Sequence, residues 1–118
     1  MDKAITIKIT DFIGSPNCIS AEDGQKVFEK IEALLKDGKS VILSFDRVKI
    51  LISLFLNMAI GQLYGSFTEQ EIRAKLEVQG LPADDMELLR RVVDNAKKYY
   101  ANPSRYDRAW QNEVGGNE

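Results

Sequence analysis

Two apolar segments constrain the fold of this chain more than any other feature of its sequence. The first covers residues 41–45, and the second follows a charged turn and covers residues 51–65. Alternate positions of the first segment are apolar, and Ile42 on the opposite side is apolar too, which predicts a central strand covered on both faces. The second segment is apolar on most sides and predicts a helix over residues 52–64 that is buried on most of its surface. This order of elements favours an α/β fold.

The N-terminal half before this strand predicts one strand and one helix. Apolar residues alternate with polar ones over residues 5–10, as in a half-buried strand. Ser20 lies three residues before Asp23, which indicates a helix N-cap. The helix ends at Asp37 and Gly38. Its predicted core residues are Val27, Phe28, Ile31, Leu34 and Leu35.

The C-terminal half predicts two more helices and a short strand. Thr68 and Glu71 have the spacing of a capping box, which predicts a short helix after residue 68. Leu76 and Val78 alternate as a short strand, and Asp84 caps a last helix that ends before residue 102. The core-facing stripe of that helix consists of Met86, Leu89, Val93, Ala96 and Tyr100. Together these elements predict an α/β sandwich of a small mixed sheet and about four helices.

Length and composition indicate one small domain. The chain has 118 residues, of which 1–103 form the predicted domain and 104–118, including Trp110, form a polar tail. The formal net charge is −2, which argues against nucleic-acid binding through many phosphate contacts. The sequence shows neither the apolar core of a signal peptide nor a segment long enough to span a bilayer. We therefore expect a cytoplasmic protein that does not bind membranes.

The sequence contains no catalytic or metal-binding constellation. Histidine is absent, which removes the usual general base at neutral pH and the commonest transition-metal ligand. Cys18 is the single cysteine, so neither an intrachain disulfide nor a cysteine-rich metal site can form. We expect a non-enzymatic protein without a cofactor.

Four segments resemble a known family. They are DGQKVF at 23–28, VILSF at 41–45, FLNMAIGQLYG at 55–65 and RVVDNAKKYY at 91–100. In these segments the chain is similar to the STAS-like domain family of unknown function, over roughly residues 3–103. At the level of the fold it also resembles the STAS domains of bacterial anti-sigma-factor antagonists.

This resemblance implies a regulatory domain that acts by binding another protein. In the antagonists, a hydroxyl residue at the start of the helix after the central strand is phosphorylated by a partner, an ATP-binding kinase of the histidine-kinase-like superfamily. Ser53 falls on that position. Its neighbours Leu51, Ile52 and Leu54 replace the acidic, hydroxyl and glycine residues of the antagonists. Ser53 is thus either a phospho-acceptor or a helix N-cap.

The predicted partner-binding surface is the helix that follows Ser53. Asn57 and Gly61 continue a row from Ser53 at intervals of four residues, and Leu54 and Met58 flank that row. The helix is so apolar that either a protein partner or a second copy of the chain is expected to cover it. The alternative for Gly61 is close packing, and the alternative for Asn57 is a hydrogen bond to the backbone.

A second hypothesis concerns the turn after the central strand. Asp46, Arg47 and Lys49 follow the carboxyl end of that strand, where open α/β sheets commonly bind ligands. These residues could line a pocket of a small-ligand or nucleotide sensor. The alternative is that they are solvated surface charges.

Overall fold

The computed structural model describes residues 4–101 of the chain, which form five strands and five α-helices. The strands are β1 (Ile5–Lys8), β2 (Asn17–Cys18), β3 (Val41–Ser44), β4 (Ile50–Leu51) and β5 (Leu76–Gln79). The helices are α1 (Ile9–Ile13), α2 (Ala21–Lys36), α3 (Ser53–Ala59), α4 (Glu69–Lys75) and α5 (Ala83–Tyr100). A 3₁₀ helix spans Gly61–Gly65, between α3 and α4.

The strands form two separate parallel sheets. The main sheet has the order β1–β3–β5, so the strand predicted to be central is central. The smaller sheet pairs β2 with β4. Helices connect the strands of the main sheet, as parallel pairing requires. The predicted α/β sandwich is confirmed; within residues 4–101 every strand pair is parallel, and five α-helices are present where about four were expected.

Only one face of the main sheet is deeply buried. Val41 and Leu43 of β3 are 1% and 0% exposed. Ile42 points to the other face and is half-buried, because its neighbours in register are Thr6 and Glu77, both exposed. The expectation that β3 is covered on both faces is therefore wrong for the described part of the chain. A half-buried apolar side chain with polar side chains on both neighbouring strands does not require a layer of helices on this face of the sheet.

The first strand is shorter than its alternating pattern suggests. β1 ends at Lys8, and the chain turns directly into α1, whose first residue Ile9 is fully buried. Gly14 ends α1 in the left-handed conformation, with φ of 76°. The alternation of residues 5–10 hides this turn because Ile9 is buried in either conformation.

The predicted capping residues of α2 and α4 are confirmed. Ser20 Oγ accepts a hydrogen bond of 3.1 Å from the Asp23 N–H. At α4, the Glu71 N–H donates to Thr68 Oγ1 at 3.1 Å, and the Thr68 N–H donates to Glu71 Oε1 at 2.8 Å. The second pair is a complete capping box, so both helix starts follow from local sequence.

The apolar segment predicted as one helix is divided. α3 ends at Ala59, and the chain continues as the 3₁₀ helix. Gln62 Nε2 donates to the Met58 carbonyl at 2.8 Å and to Gln25 Oε1 at 2.7 Å. Gln62 thus satisfies a carbonyl near the end of α3 and links this region to α2. The predicted burial on most sides is confirmed only in part: Phe55 and Leu56 are both 0% exposed, whereas Leu54 is 46% exposed.

The last helix differs in two details from its predicted pattern. Its buried face is centred on Val92, whereas Met86 at 46% exposure belongs to the surface. Pro82 is the N-cap residue, so Asp84 lies inside the first turn and is not the cap. Lys97 Nζ lies 3.0 Å from Glu69 Oε2 and ties α5 to α4. The tail predicted for 104–118 lies outside the described residues.

Candidate functional site

The smaller sheet leads the chain directly into α3. Cys18 pairs with Leu51 in register, and the Ile52 N–H donates to the Cys18 carbonyl at 3.2 Å. At the opposite end of this strand pair, the Lys49 N–H donates to the Pro16 carbonyl at 2.8 Å. These bonds fix the direction in which each side chain of the ribbon points.

One side of this ribbon is largely aliphatic and faces solvent, with Asn17 beside Ile50 as its polar member. Side chains alternate along strands, so the fully buried Cys18 is followed by the outward-facing Ile19, which the register places beside Ile52. The outward-facing side chains, with their exposed fractions, are Ile19 (48%), Ile50 (49%), Ile52 (37%) and Leu54 (46%). We call these four residues the isoleucine–leucine surface. Exposed aliphatic side chains that lie close together on a protein surface can form an interaction site.

Ser53 lies within this surface and does not cap α3. The N-cap residue is Ile52, with extended backbone angles of φ −119° and ψ 160°, and no side chain caps the helix. Ser53 is the first helical residue and is exposed. The N-cap interpretation of Ser53 is therefore wrong, because the residue has already adopted helical geometry. Phosphorylation of Ser53 stays a prediction.

The other predicted partner-binding residues separate into two places. Leu54 belongs to the isoleucine–leucine surface, whereas Asn57, Met58 and Gly61 line a groove of about 390 Å³ between α3 and α5. Asn57 is exposed, Met58 is half-buried and Gly61 is buried. The structure therefore brings Ser53 together with Leu54, and neither of the two residues lines the groove.

Close packing occurs at Gly24 and not at Gly61. A Cβ at Gly24 would lie 2.8 Å from Met58 Cβ and 2.9 Å from the Phe55 carbonyl oxygen. A Cβ at Gly61 would make ordinary contacts of 3.5 Å with Asn57 Oδ1 and 3.8 Å with Ala96 Cβ. The packing explanation of Gly61 is wrong for this reason. Gly24 is the residue that lets α2 and α3 approach each other.

Asp46, Arg47 and Lys49 lie in the turn after β3 and are all exposed. Asp46 Oδ2 and Arg47 Nε are 4.0 Å apart, and their side chains are 72% and 86% exposed. Arg47 has a φ of 68°, which is uncommon for a residue other than glycine. Ligand binding by these residues stays a prediction.

The described residues offer little for redox or metal chemistry. Burial, with a smaller contribution from the Asp23 carboxylate, raises the pKa of the Cys18 thiol to about 11. The thiol is therefore protonated at neutral pH and is a poor nucleophile. Among residues 4–101, no group of three or more histidine, cysteine, aspartate or glutamate side chains is placed to hold a metal ion. No helix in the same range is long and apolar enough to cross a membrane.

Sequence reasoning missed Ile19 and Ile50 as surface residues. β2 and β4 each contain two residues, so neither produces an alternating pattern that can be recognised. A signal is nevertheless present, because Ile50 and Ile52 flank the inward-facing Leu51. That short alternation at the start of a predicted helix could have indicated an exposed aliphatic edge.

Comparison with known proteins agrees with this architecture. A family model described as a STAS-like domain of unknown function (DUF4325) matches residues 23–86, which is more than half of the chain. These residues include α2, the central strand, the ribbon strand β4 and α3. Searches of curated proteins and of solved structures found no significant match. The chain belongs to the STAS-like domain family of unknown function.

Proposed function

We propose that this STAS-like domain is a non-catalytic regulatory module that binds a protein partner through the isoleucine–leucine surface. The observation that carries the proposal is the exposure of four adjacent aliphatic side chains, each between 37% and 49% exposed. Leaving them in water costs the protein the free energy that their burial would provide, about 25 cal/mol per Å² of apolar area. A partner that covers them recovers this free energy.

The chemistry of the surface favours a protein over a small molecule. The side chains stand on the outer side of a two-stranded ribbon and on the first turn of α3, and none of the four lines the groove between α3 and α5. Small molecules are usually held in concave pockets that bury most of their surface. An apolar edge with a polar residue in its midst is typical of the central part of a protein interface.

The family relationship suggests the kind of partner. Because the antagonist STAS domains bind ATP-binding proteins of the histidine-kinase-like superfamily, we propose a partner of that class, by analogy at the level of the fold. Ser53 is the proposed phospho-acceptor. Phosphorylation adds a charge of about −1.5 to −2, which would have to be desolvated among the surrounding aliphatic side chains. The modification would therefore release the partner.

A matched pair of variants tests the surface. Leu54→Asp places a charge in the isoleucine–leucine surface, and Met86→Asp places the same charge on α5, at a side chain with the same exposed fraction of 46%. Tagged full-length wild type and both variants would be used to capture proteins from a lysate of the source cell, and the captured proteins would be quantified by mass spectrometry. A partner retained by wild type and Met86→Asp but lost by Leu54→Asp supports the proposal.

Titration of each variant with the purified partner then measures how far the substitution weakens the binding affinity. We expect Leu54→Asp to weaken the affinity at least tenfold, because a buried unpaired charge at an interface costs well over ~1.4 kcal/mol. Ser53→Asp should weaken binding as well, and Ser53→Ala should leave it nearly unchanged. Equal affinities of wild type and Leu54→Asp for every captured protein would contradict the proposal.

A further inference from the structure

Within residues 4–101, the main sheet leaves backbone groups unpaired at the outer edge of β1. β1 is an edge strand, and β3 is its neighbour on one side. The Ile5 N–H donates to the Ser40 carbonyl at 2.8 Å, so the backbone groups of Ile5 and Ile7 face β3. Backbone groups alternate in direction along a strand, and those of Thr6 and Lys8 consequently point away from β3. Such an edge is a template for another strand.

A groove runs beside this edge, between α1 and α2. Its volume is about 380 Å³, and its lining includes Ile5, Ile7 and Phe12 as well as charged side chains from both helices. Phe12 is 41% exposed, although it is one of the largest apolar side chains in the chain. An incoming strand would thus meet both free backbone groups and an apolar contact area.

The charged side chains of the groove have both signs. Lys8 and Lys30 are cationic and Asp11 is anionic, and all three are exposed. None of the ion pairs found within residues 4–101 includes any of these three residues. A surface that carries unpaired charges of both signs can be complementary to a copy of itself around a two-fold axis.

We propose that the β1 edge is a homodimer interface, in which β1 of two copies pairs antiparallel around a two-fold axis at Thr6. The Thr6 N–H of each copy then donates to the Thr6 carbonyl of the other copy, and the Lys8 N–H donates to the Ala4 carbonyl of the other copy. Ile5 lies opposite Ile7 of the second copy on the inner face of a continuous sheet. Asp11 of each copy faces Lys30 of the other copy.

Self-complementarity favours a second copy over a foreign peptide. The free part of the edge is short, because α1 begins at Ile9. A single peptide bound there would form few backbone hydrogen bonds, each contributing only about 0.5–1.5 kcal/mol. Two-fold pairing forms no more backbone bonds than a peptide strand would, but it uses the groove and its charged side chains twice, once on each copy. This interface is separate from the isoleucine–leucine surface, so either proposal can fail without the other.

Sedimentation velocity of the full chain tests the dimer. The protein would be measured from about 1 to about 200 μM, where weak dimers dissociate. We expect wild type to form dimers within this range and Thr6→Pro to weaken dimerisation at least tenfold, because proline removes the outward N–H without breaking a bond to β3. A wild type that stays monomeric throughout the range would overturn the proposal.

Charge reversal gives a second test that leaves the backbone intact. Asp11→Lys and Lys30→Asp should each weaken the dimer by about fivefold or more, because two exposed ion pairs become repulsive in each dimer. The double variant should restore most of the affinity. Lys98→Glu makes a comparable charge change on α5 and serves as the control. A double variant that is as weak as the single variants would overturn the pairing of Asp11 with Lys30.

Amide hydrogen exchange locates the contact directly. In the proposed dimer, the Thr6 and Lys8 amides exchange more slowly as the protein concentration rises, whereas those of Ile5 and Ile7 are protected at every concentration by β3. Dimerisation without concentration-dependent protection of Thr6 and Lys8 would place the interface elsewhere and refute the proposal.

Discussion

Replacing Gly24 by alanine tests the packing of α2 on α3. In most helices a change from glycine to alanine stabilises the protein by about 0.5–1 kcal/mol, because alanine has the higher helix propensity. At Gly24 the added Cβ would lie 2.8 Å from Met58 Cβ and 2.9 Å from the carbonyl oxygen of Phe55. Real Cβ atoms do not approach other atoms so closely, and one of these neighbours is backbone. The helices must therefore move apart.

The expected loss of stability in Gly24→Ala is the difference between two opposing contributions. Overpacking a buried contact typically costs about 1–3 kcal/mol. The gain in helix propensity offsets part of this cost, which leaves a net decrease of ~1–2 kcal/mol in the free energy of unfolding. For a domain of this size, such a decrease corresponds to a fall in Tm of roughly 4–8 °C.

Gly61→Ala is the matched control for Gly24→Ala. Gly61 is also a buried glycine, but its added Cβ would meet no atom closer than 3.5 Å. We expect a neutral effect or a stabilisation of about 0.4–1 kcal/mol from the reduced entropy of the unfolded chain. Urea denaturation of both variants, followed by circular dichroism at one protein concentration, measures the difference. If Gly24→Ala is as stable as Gly61→Ala, the reasoning from close packing is refuted.

Three further predictions concern helix caps, the cysteine and the ligand hypothesis. Thr68→Ala should lower the free energy of unfolding by about 1 kcal/mol because Thr68 caps a helix, whereas Ser53→Ala should leave it nearly unchanged because Ser53 does not; equal losses in urea denaturation would refute the assignment of Ile52 as N-cap. Because burial raises the pKa of the Cys18 thiol from 9.0 to about 11, the folded state holds that proton more tightly than the unfolded chain. The free energy of unfolding should therefore fall between pH 9 and pH 11 more steeply in wild type than in Cys18→Ala, and parallel curves would contradict this. The nucleotide-sensor alternative predicts that ATP raises the Tm of wild type more than that of Lys49→Ala, and a thermal shift assay that shows no effect of ATP would contradict it.

Local signals predicted most of the fold because they depend on few residues. The Ser20 cap needs a hydroxyl and one backbone N–H, the Thr68–Glu71 capping box adds a carboxylate and a second N–H, and both appear as expected. The central position of β3 also followed from sequence, since its apolar residues on both sides distinguish it from an edge strand. Such features are decided within a few residues of the chain.

The errors occur where tertiary contacts decide the outcome. The break in the apolar helix after Ala59 is accompanied by a hydrogen bond from Gln62 to Gln25 of α2, which is remote in sequence. The role of Gly24 depends on the position of Met58, which is likewise remote in sequence. Neither contact produces a periodic pattern, so neither could be predicted from a single sequence.

The sequence indicated where the candidate surface lies better than it indicated which residues form it. Ser53 and Leu54 were singled out, and both belong to the exposed start of α3. Ile19 was missed because it enters the surface through the register of β2 with β4. Asn57 follows Ser53 by four residues within α3 and also lines a groove next to α5. Gly61, the last residue of the predicted row, lies beyond the end of α3 in the 3₁₀ helix.

Because Ser53 does not cap α3, helix capping does not explain why a serine occupies this position. A serine at an N-cap is explained by stability alone, whereas the Ser53 hydroxyl forms no hydrogen bond within the described residues 4–101 and is exposed. Serine is also a poorer helix former than alanine, so its presence at the first position of α3 adds little stability. Ile52 and Leu54, on either side of it, are exposed as well, although burial would favour both. Ile52, Ser53 and Leu54 are thus three consecutive exposed residues that the stability of the fold does not explain, which supports the proposed contact with a partner.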